Sequence, residues 1–253
     1  MTVAHYFASD IHLRFDRADR DRRFQAWLSR IRPSDSLVIV GDLCDFWMGS
    51  RSSAPVLMRS PSLQALAAFR GAGGSLAIMP GNHDIWMRDR YETLLGARIL
   101  HEPHEMTVLG RRLRLVHGHL LGARRPWKAI MESQAFFRGF GLLPGSVARP
   151  LDEILAWRNN RGLLADEERH LKVYREYAGS LAGTTDLVII GHVHRPVDDH
   201  HANPRLVVLG GWQHRSSYLV INEEGVHFHI ENDRAGDSPI APAIDSDPGL
   251  SSP

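Results

Sequence analysis

The feature that most constrains this chain is a set of short apolar segments that end in residues able to bind metal ions. Five predicted strands have this form, and the residues at their ends are Asp10 and His12, Asp42, Asn82 and His83, His117 and His119, and His192 and His194. In open α/β sheets, ligands bind beyond the carboxyl ends of the strands, where loops distant in sequence converge. The five clusters therefore predict one site at the carboxyl ends of several strands.

The apolar patterns predict the strands and the helices between them. Continuous apolar runs such as Leu37–Val40 are typical of strands that are covered on both faces. Buried strands are expected over residues 3–9, 37–40, 75–79 and 187–190, and helices over about 19–31 and 63–69. Strand pairs are expected for 98–109 with 112–116 and for 205–209 with 218–222, and a further strand for 226–230. Because strands and helices alternate first and antiparallel strands follow, the expected fold class is α/β.

With 253 residues, the chain is long enough for one large domain and does not require two. Residues of about 120–182 show helical and loop patterns without a strand, which predicts a helical insertion that we call the lid. The single domain, including the lid, is expected to cover residues 1–231. Residues 232–253 are rich in Asp, Ser, Pro, Gly and Ala, and this composition predicts a disordered tail.

Each cluster alone has an ordinary structural explanation. An Asp after a strand commonly caps a turn or a helix, Gly-Asn is a common turn, and His-x-His often lies on a surface. The clusters coincide, however, because all of them fall at strand ends and all supply oxygen or imidazole nitrogen. The chain has 15 histidines but one cysteine, Cys44, which excludes an internal disulfide and a thiolate zinc site. We therefore interpret the clusters together as a metal site.

The ligand types indicate which ions the site would take. Carboxylate, amide and imidazole groups suit borderline divalent ions such as manganese, iron, zinc and cobalt. A carboxylate shared by two ions would hold them ~3.5–4 Å apart, the spacing used for in-line phosphoryl displacement. Such ions polarise phosphoryl oxygens and lower the pKa of a bridging water. The expected chemistry is hydrolysis of a phosphoester with two metal ions.

The clusters resemble, in order and spacing, the five motifs of calcineurin-like metallophosphoesterases. The matching motifs are Asp10-x-His12, Gly41-Asp42, Gly81-Asn82-His83-Asp84, His117 and Gly191-His192-x-His194. The resemblance implies a four-layer α/β/β/α metallophosphoesterase sandwich with a helical lid insertion. It also implies two divalent metal ions, with Mn²⁺ favoured and Zn²⁺ or Fe²⁺ as alternatives.

The same resemblance implies a role for each matching residue. One ion would be held by Asp10, His12, Asp42 and His194. The other would be held by Asp42, Asn82, His117 and His192. Asp42 would thus bridge the two ions. The catalytic residues would be His83, which contacts the phosphate and protonates the leaving group, and Asp84, which lies near His83.

Within this family, a closer resemblance is to the UDP-2,3-diacylglucosamine pyrophosphatases of lipid A biosynthesis. It is carried by residues 7–13, 41–49 and 207–212, by the total length and by the position of the lid. It implies hydrolysis of a UDP-linked lipid to UMP and a lipid monophosphate. These enzymes typically have Arg in place of His83 and Asp in place of His119, and their Asp-rich segment at the start of the lid is not recognisable here. Because these departures lie on the substrate side, a nucleotide, phosphomonoester or phosphodiester stays open as the substrate.

The first part of the lid combines basic residues with aromatic and aliphatic ones, against a single acid, Glu132, over residues 120–150. Two interpretations stay open. The lid packs its apolar residues on the domain, or it holds acyl chains and rests on an anionic membrane surface. The residues expected to bind substrate are His119, Arg124, Arg125, Trp127, Lys128, Phe136, Phe137 and Phe140.

The net charge and the hydropathy of the chain indicate which kinds of partner and which cellular location to expect. A formal net charge of +1 argues against nucleic acid as a partner. The first residues lack the pattern of a secretory signal, and no apolar run approaches the ~18–20 residues that span a bilayer. A cytoplasmic location is expected, with peripheral contact to the inner membrane surface left open. A metal-binding scaffold without catalysis is the remaining alternative, but it predicts the loss of ligands or of His83, and all of these residues are present.

Overall fold

The computed structural model describes residues 2–15, 17–45, 54–122, 167–213 and 215–232, with short stretches between 136 and 154. Within these residues, the strands form two sheets. The first sheet consists of β1 (His5–Ala8), β2 (Ser36–Val40), β3 (Ser75–Met79), β4 (Arg98–Ile99), β10 (Arg215–Asn222) and β11 (Gly225–Asn232), in the order β11-β10-β1-β2-β3-β4. The second sheet consists of β5 (His104–Val108), β6 (Arg111–Val116), β7 (Leu187–Ile190), β8 (Val197–Asp199) and β9 (Arg205–Val208), in the order β5-β6-β7-β9-β8.

The main helices of the described residues are α1 (Ala18–Leu28), α2 (Ala54–Leu57), α3 (Pro61–Gly71), α4 (Arg88–Leu95) and α5 (Glu167–Gly179). A short 3₁₀ helix, Ile85–Met87, precedes α4. α3 begins after Ser60, whose hydroxyl accepts a hydrogen bond from the backbone N–H of Leu63 at 3.4 Å. α4 ends at Gly96, whose left-handed backbone (φ 63°) is favourable for glycine. None of the helices in the described ranges is long and apolar enough to cross a membrane.

Parallel pairing brings the ends of neighbouring strands together in each sheet. In the first sheet, Phe7 of β1 lies opposite Val38 of β2, and Val38 lies opposite Ala77 of β3. In the second sheet, Leu115 of β6 lies opposite Ile189 of β7. The loops that follow β1, β2 and β3 therefore leave one edge of the first sheet, and those that follow β6 and β7 leave one edge of the second.

Three buried apolar clusters lie between the layers of the fold. Between the sheets, Phe7 of the first sheet belongs to the same buried cluster as Ile189 of the second. On the outer face of the first sheet, Trp27 of α1 belongs to a cluster with Ile39 of β2. On the outer face of the second sheet, Tyr174 of α5 clusters with residues of β6, β7 and β9. Burial of each large apolar side chain contributes about 1.5–3 kcal/mol. The order helix, sheet, sheet, helix confirms the predicted four-layer fold class.

One predicted strand pair is wrong in its extent. Residues 98–109 form two strands, β4 in the first sheet and β5 in the second. Between them lies Pro103, which has no N–H to donate to a ladder. β5 does pair with β6, as predicted, through a turn at Leu109 and Gly110. Both turn residues have positive φ (46° and 79°), which suits a two-residue hairpin turn.

The predicted pairing of 205–209 with 218–222 is also wrong. β9 lies between β7 and β8 in the second sheet, whereas β10 lies between β1 and β11 in the first. Both strands are apolar because both are interior, and this pattern indicates burial without identifying the partner strand. The apolar patterns also do not predict β8, α2 or α4. The predicted lid contains α5, and the predicted tail after Asn232 lies outside the described residues.

Candidate metal centre

The loops after β1, β2, β3, β6 and β7 bring the predicted metal ligands together. Three groups of side chains have one nitrogen or oxygen atom each within 4.8 Å of the others. The groups are Asp10, His12 and His194; His12, Asp42 and His83; and Asp42, His117 and His192. The remaining predicted ligand, Asn82, places Oδ1 3.1 Å from Nε2 of His117. The first and third groups correspond to the two predicted halves of the centre.

The backbone at this site is strained. Four of the residues in these groups have a left-handed backbone, with φ of 53° at Asp10, 51° at His12, 53° at Asp42 and 64° at His192. Positive φ is uncommon outside glycine and costs of order 1–3 kcal/mol for each residue. Such strain concentrates at functional sites, where the surrounding structure holds it in place.

Asp10 has one carboxylate oxygen held by the protein and one that is not. Its Oδ2 accepts hydrogen bonds from the backbone N–H of His192 (2.8 Å) and from the hydroxyl of Ser9. Its Oδ1 is buried and has no hydrogen-bond partner among the described residues. This oxygen lies 3.7 Å from Nε2 of His12 and 3.6 Å from Nε2 of His194. Burying a carboxylate oxygen without a partner costs folding free energy, and a bound cation would remove this cost. The position of Oδ1 between two histidine nitrogens is therefore suited to a metal ion.

Asp42 lies between the two halves of the centre. Its Oδ1 accepts a hydrogen bond from the backbone N–H of His83 at 2.8 Å. Its Oδ2 lies 3.8 Å from Nε2 of His12 and 3.3 Å from Nε2 of His117, so a single oxygen faces both halves. Burial alone would raise the pKa of Asp42, but the charges of His117 and His83 outweigh burial and hold this pKa well below its usual range. The oxygen that faces both halves therefore belongs to an ionised carboxylate.

His117 is oriented by the backbone. Its Nδ1 lies 3.0 Å from the carbonyl oxygen of Val40, which makes Nδ1 the protonated nitrogen. Nε2 then faces two acceptor oxygens, Oδ1 of Asn82 and Oδ2 of Asp42. Burial alone would lower the pKa of His117, but Asp42 outweighs burial and raises this pKa to about 10. Three acceptor atoms that converge on one point require a proton or a metal ion between them, so this half also fits a cation.

Glycine at position 41 makes room for the ring of His117, which leads to a test. A Cβ on Gly41 would lie 2.0 Å from Nδ1 of His117, and φ at Gly41 is +93°. We expect Gly41→Ala to displace the ring, break its bond to Val40 and weaken metal binding by about 10–100-fold, as loss of an outer-sphere partner typically does. Metal titration measures the effect. Gly73→Ala is the matched control, since Gly73 has a φ of +102° but no atom within 4 Å of the added Cβ. Equal metal affinity in the two variants would contradict the role of Gly41.

His83 pairs with a carboxylate that the sequence patterns did not single out. Its Nδ1 lies 3.0 Å from Oδ1 of Asp45, and its ring lies 4.7 Å from that of His12. Burial alone would lower the pKa of His83, but Asp42 and Asp45 outweigh burial and raise this pKa to about 9. These two carboxylates therefore favour the protonated form of His83 at neutral pH. Asp45 stands three residues after Asp42 in the same loop, and this spacing is the only signal that the sequence offers for it.

Asp84 connects two of the loops. Its Oδ1 accepts a hydrogen bond from the backbone N–H of Gly81 at 2.7 Å. Its Oδ2 accepts from the backbone N–H of Cys44 at 3.2 Å and from the hydroxyl of Tyr91 at 2.6 Å. Burial and the charge of Asp42 raise the pKa of Asp84 to about 6. These contacts join the loop after β2 to the loop after β3. Within the part of the chain that the structure describes, the hydrogen bonds of the Asp84 carboxylate do not involve the ring of His83.

The predicted substrate-binding residues are described only in part. The side chain of His119 is only 4% exposed, with Nδ1 3.5 Å from Oε2 of Glu102 and its ring 5.3 Å from that of His117. Phe136 and Phe140 stack with their ring centroids 6.1 Å apart. The other predicted positions, Arg124, Arg125, Trp127, Lys128 and Phe137, lie outside the described residues.

One residue of α5 also lies beside the centre. The ring of His170 is 5.9 Å from that of His192. The sequence patterns did not single out His170, because it lies within a helical pattern and follows no strand.

Comparison with known proteins agrees with this geometry. The family model described as calcineurin-like phosphoesterase matches residues 5–196, a span that contains every predicted metal ligand. The chain is 29% identical over 245 residues to the UDP-2,3-diacylglucosamine hydrolase of Hahella chejuensis, covering 91% of this chain and 98% of that protein. It is 29% identical over 238 residues to the protein of that name from Nitrosococcus oceani, covering 89% and 94% of the two chains. The same identity extends over 248 residues of the Chromobacterium violaceum protein, with 88% and 97% covered.

The matched span begins at β1 and continues past His194, so it includes all five ligand-bearing loops. Aspartate and histidine groups of the kind that bind divalent metal lie together within it. The chain therefore belongs to the calcineurin-like phosphoesterase family and is a metal-dependent hydrolase of phosphoester or phosphoric anhydride bonds.

Proposed function

We propose that this chain hydrolyses the pyrophosphate bond of UDP-2,3-diacylglucosamine, giving UMP and a lipid monophosphate, with two divalent metal ions. The position of Asp42 Oδ2, 3.8 Å from Nε2 of His12 and 3.3 Å from Nε2 of His117, is the observation that carries the two-ion centre. The names of the three relatives, each matched over most of its length, support the substrate. We take Mn²⁺ as the metal, with Zn²⁺ and Fe²⁺ as the alternatives that the same ligands accept.

The proposed ligand sets follow the two halves of the site. Asp10, His12, Asp42 and His194 would hold one ion, and Asp42, Asn82, His117 and His192 would hold the other. When bound, the ions supply Lewis acidity, which withdraws charge from phosphoryl oxygens and makes hydroxide available near neutral pH. The protein itself contributes the fixed positions of these side chains, because the strained loops and the bond from His117 to Val40 hold them before substrate arrives.

His83 would contact the phosphate and supply a proton to the leaving oxygen. Asp45 keeps the ring of His83 oriented and protonated through its contact at Nδ1, which leaves Nε2–H for the substrate. When UMP is the leaving group this proton matters little, because a phosphate oxygen leaves more readily than an alkoxide. The pair of His83 with Asp45 therefore supports a second candidate function, hydrolysis of alkyl phosphomonoesters or phosphodiesters, in which the leaving oxygen does need a proton.

We further propose that residues 1–231 form one domain in which the lid, residues 120–182, covers the substrate and meets the cytoplasmic face of the membrane. The mixture of basic and apolar residues over 120–150 supports this role. The helix α5, which belongs to the lid, packs on the second sheet and brings His170 beside His192. One helix of the proposed lid therefore lies beside the metal centre.

Phe136 and Phe140 provide a test of the lid. If these side chains hold acyl chains, replacing both with Ser should lower activity on the diacylated substrate by about 10–100-fold or more. One buried aromatic side chain is worth about 1.5–3 kcal/mol, and each 1.4 kcal/mol is tenfold. Activity on a small water-soluble phosphodiester should stay near that of the parent, because remote binding energy counts only when the remote group is present. Equal losses on both substrates, in protein that melts at the parent temperature, would contradict a role of the two rings in binding acyl chains.

A side-by-side comparison of substrates tests the proposed function as a whole. Purified chain loaded with manganese would be offered UDP-2,3-diacylglucosamine, simple nucleotides and p-nitrophenyl phosphate esters. The proposal predicts the highest kcat/KM on the diacylated substrate and loss of all activity when the metal is chelated. A higher kcat/KM on a p-nitrophenyl diester would favour a phosphodiester over the UDP-linked lipid as the substrate.

A further inference from the structure

Arg14, which belongs to none of the five motifs, lies beside Asp45. The loops after β1 and β2 continue side by side beyond their strands as a short parallel ladder. Leu13 donates its N–H to the carbonyl of Leu43 at 2.9 Å, and Asp45 donates its N–H to the carbonyl of Leu13 at 3.0 Å. Leu13 therefore lies opposite Cys44, and the next residues along the two loops are Arg14 and Asp45. The register of this ladder makes the two residues neighbours.

The carboxylate of Asp45 contacts two side chains at once. Its Oδ2 accepts a hydrogen bond from Nη1 of Arg14 at 3.2 Å, and its Oδ1 lies 3.0 Å from Nδ1 of His83. Because a carboxylate can only accept, Nδ1 of His83 is the donor in the second contact. The side chains of Arg14, Asp45 and His83 are 14%, 13% and 18% exposed. Fully exposed ion pairs contribute little, whereas these contacts are largely shielded from water.

The guanidinium of Arg14 restricts how the carboxylate can move. A carboxylate that is held through one oxygen alone can turn about its side-chain bonds, and that contact then has no fixed direction. With Oδ2 bonded to Arg14, the position and the plane of the Asp45 carboxylate are both defined, and Oδ1 stays aligned with Nδ1 of His83. The other ring nitrogen of His83, Nε2, then faces away from Asp45, where the proposed function requires a proton donor.

The backbone that carries Arg14 is held from both sides. On the side of the metal centre, Arg20 of α1 donates from Nη1 to the carbonyl of His12 at 2.8 Å. On the side of α1, the N–H of Arg17 donates to the carbonyl of Arg14 at 3.3 Å. Arg14 therefore extends from a hydrogen-bonded backbone, as a residue that positions another side chain requires.

We propose that Arg14 is a positioning residue that aligns Asp45 with Nδ1 of His83 and so directs Nε2–H towards the leaving oxygen. This inference rests on the proposed role of His83 as the proton donor. The effect passes through Asp45, so loss of Arg14 should weaken the contact between Asp45 and His83 and leave the metal content unchanged. A role in screening charge makes the opposite prediction, because removal of a screening cation would strengthen the bond from His83 to Asp45.

NMR of the full chain loaded with Zn²⁺, which is diamagnetic, measures that contact directly. In chain labelled with ¹⁵N-histidine, the Nδ1–H signal of His83 is the one missing from His83→Ala. In Arg14→Met, which is neutral and of similar length, this proton should exchange with water about 10–100-fold faster, the usual worth of a hydrogen bond to a charged group. Arg14→Lys keeps a cation and should keep the proton protected. Arg205→Met is the matched control, because Arg205 and Asp198 form an ion pair of similar exposure (19% and 16%) and Arg205 lies opposite Leu187, at the start of β7.

A double-mutant cycle on an alkyl phosphoester tests the consequence for turnover. Arg14→Met should lower kcat by about 10–100-fold in the parent and have no further effect in His83→Ala, because the two residues act through one group. KM should stay at the parent value in Arg14→Met. A raised KM, or a loss that persists in His83→Ala, would mean that Arg14 acts on the substrate itself and would overturn the inference.

The outcomes separate this inference from the function on which it rests. Faster exchange in Arg14→Met, protection in Arg14→Lys and no change in Arg205→Met would support it. Unchanged or slower exchange in Arg14→Met, or an unprotected proton in the parent, would overturn it and leave the metal centre in place. Equal turnover of the parent and His83→Ala on the alkyl phosphoester would overturn the acid role of His83 and the inference with it. The melting temperature of each variant shows that it is folded, and Arg14→Ala decides if Arg14→Met does not fold.

Discussion

Replacing Asp42 with alanine should remove both metal ions and lower turnover by at least about 10³-fold, the upper range for loss of one preorganised electrostatic group. The reason is the position of its Oδ2, which faces His12 of one half at 3.8 Å and His117 of the other at 3.3 Å. A carboxylate so placed is common to both proposed ligand sets. Its loss also removes the acceptor for the N–H of His83. The loop that carries Asn82 then loses a hydrogen bond that holds it to the loop after β2. Metal content per chain and turnover measure the two effects.

Asp10→Ala is the contrasting variant. Asp10 faces His12 and His194 but belongs to only one proposed ligand set, so its loss should release one ion and leave the other. Both variants replace a buried aspartate whose backbone has a positive φ. We therefore expect the two substitutions to lower the free energy of unfolding by similar amounts. If the Asp42→Ala protein retained two ions and normal turnover, the proposal that Asp42 bridges the ions would be wrong.

His83→Ala should lower turnover on an alkyl phosphoester by about 10²–10⁴-fold, the usual contribution of a general acid, while the metal content stays at the parent value. His83 is held by Asp45 at 3.0 Å, and its pKa of about 9 makes it a proton donor at neutral pH. On a UDP-linked diphosphate the loss should be smaller, because UMP leaves without needing the proton. Turnover on both substrates, with metal analysis on the same samples, gives the comparison. If the variant lost an ion, His83 would instead be a metal ligand. His83 does lie in one group with His12 and Asp42, whose ligand atoms are within 4.8 Å of one another.

Asp45→Asn tests the same pair through pH. Asp45 is one of the groups that raise the pKa of His83, so its neutral replacement should lower that pKa. The protonated form of His83 is present below its pKa and is lost as pH rises through it. The alkaline limb of kcat/KM on an alkyl phosphoester should therefore move to lower pH in Asp45→Asn. A limb that stays where it is would show that His83 does not act as the acid.

The convergence of the predicted metal ligands could be foreseen from the sequence because each one follows a short apolar strand. Parallel strands end at one edge of a sheet, so Asp10 and Asp42 had to lie close together once β1 and β2 were neighbours. The two halves of the centre come from different sheets, however, and no local pattern indicates that two sheets face each other. The expectation of two sheets that face each other depends on the resemblance of the five motifs to calcineurin-like metallophosphoesterases.

Other features could not be predicted because they depend on which elements meet in space. The apolar runs of β9 and β10 are alike, yet these strands lie in different sheets. The carboxylate of Asp45 belongs to an ordinary polar residue of a loop, and only the fold brings it to His83. Asp84, a motif residue expected near His83, also bonds to Gly81, Cys44 and Tyr91, and the sequence pattern does not predict these contacts.

The central claim is that two ions held at these strand ends hydrolyse the diphosphate of a UDP-linked lipid. The most direct measurement is ³¹P NMR of UDP-2,3-diacylglucosamine incubated with the manganese-loaded chain. The claim predicts that the two diphosphate resonances are replaced by two phosphomonoester resonances of equal intensity, one from UMP and one from the lipid monophosphate, and that a chelator prevents the change. Diphosphate resonances that persist, or that shift to those of free UDP, would contradict it.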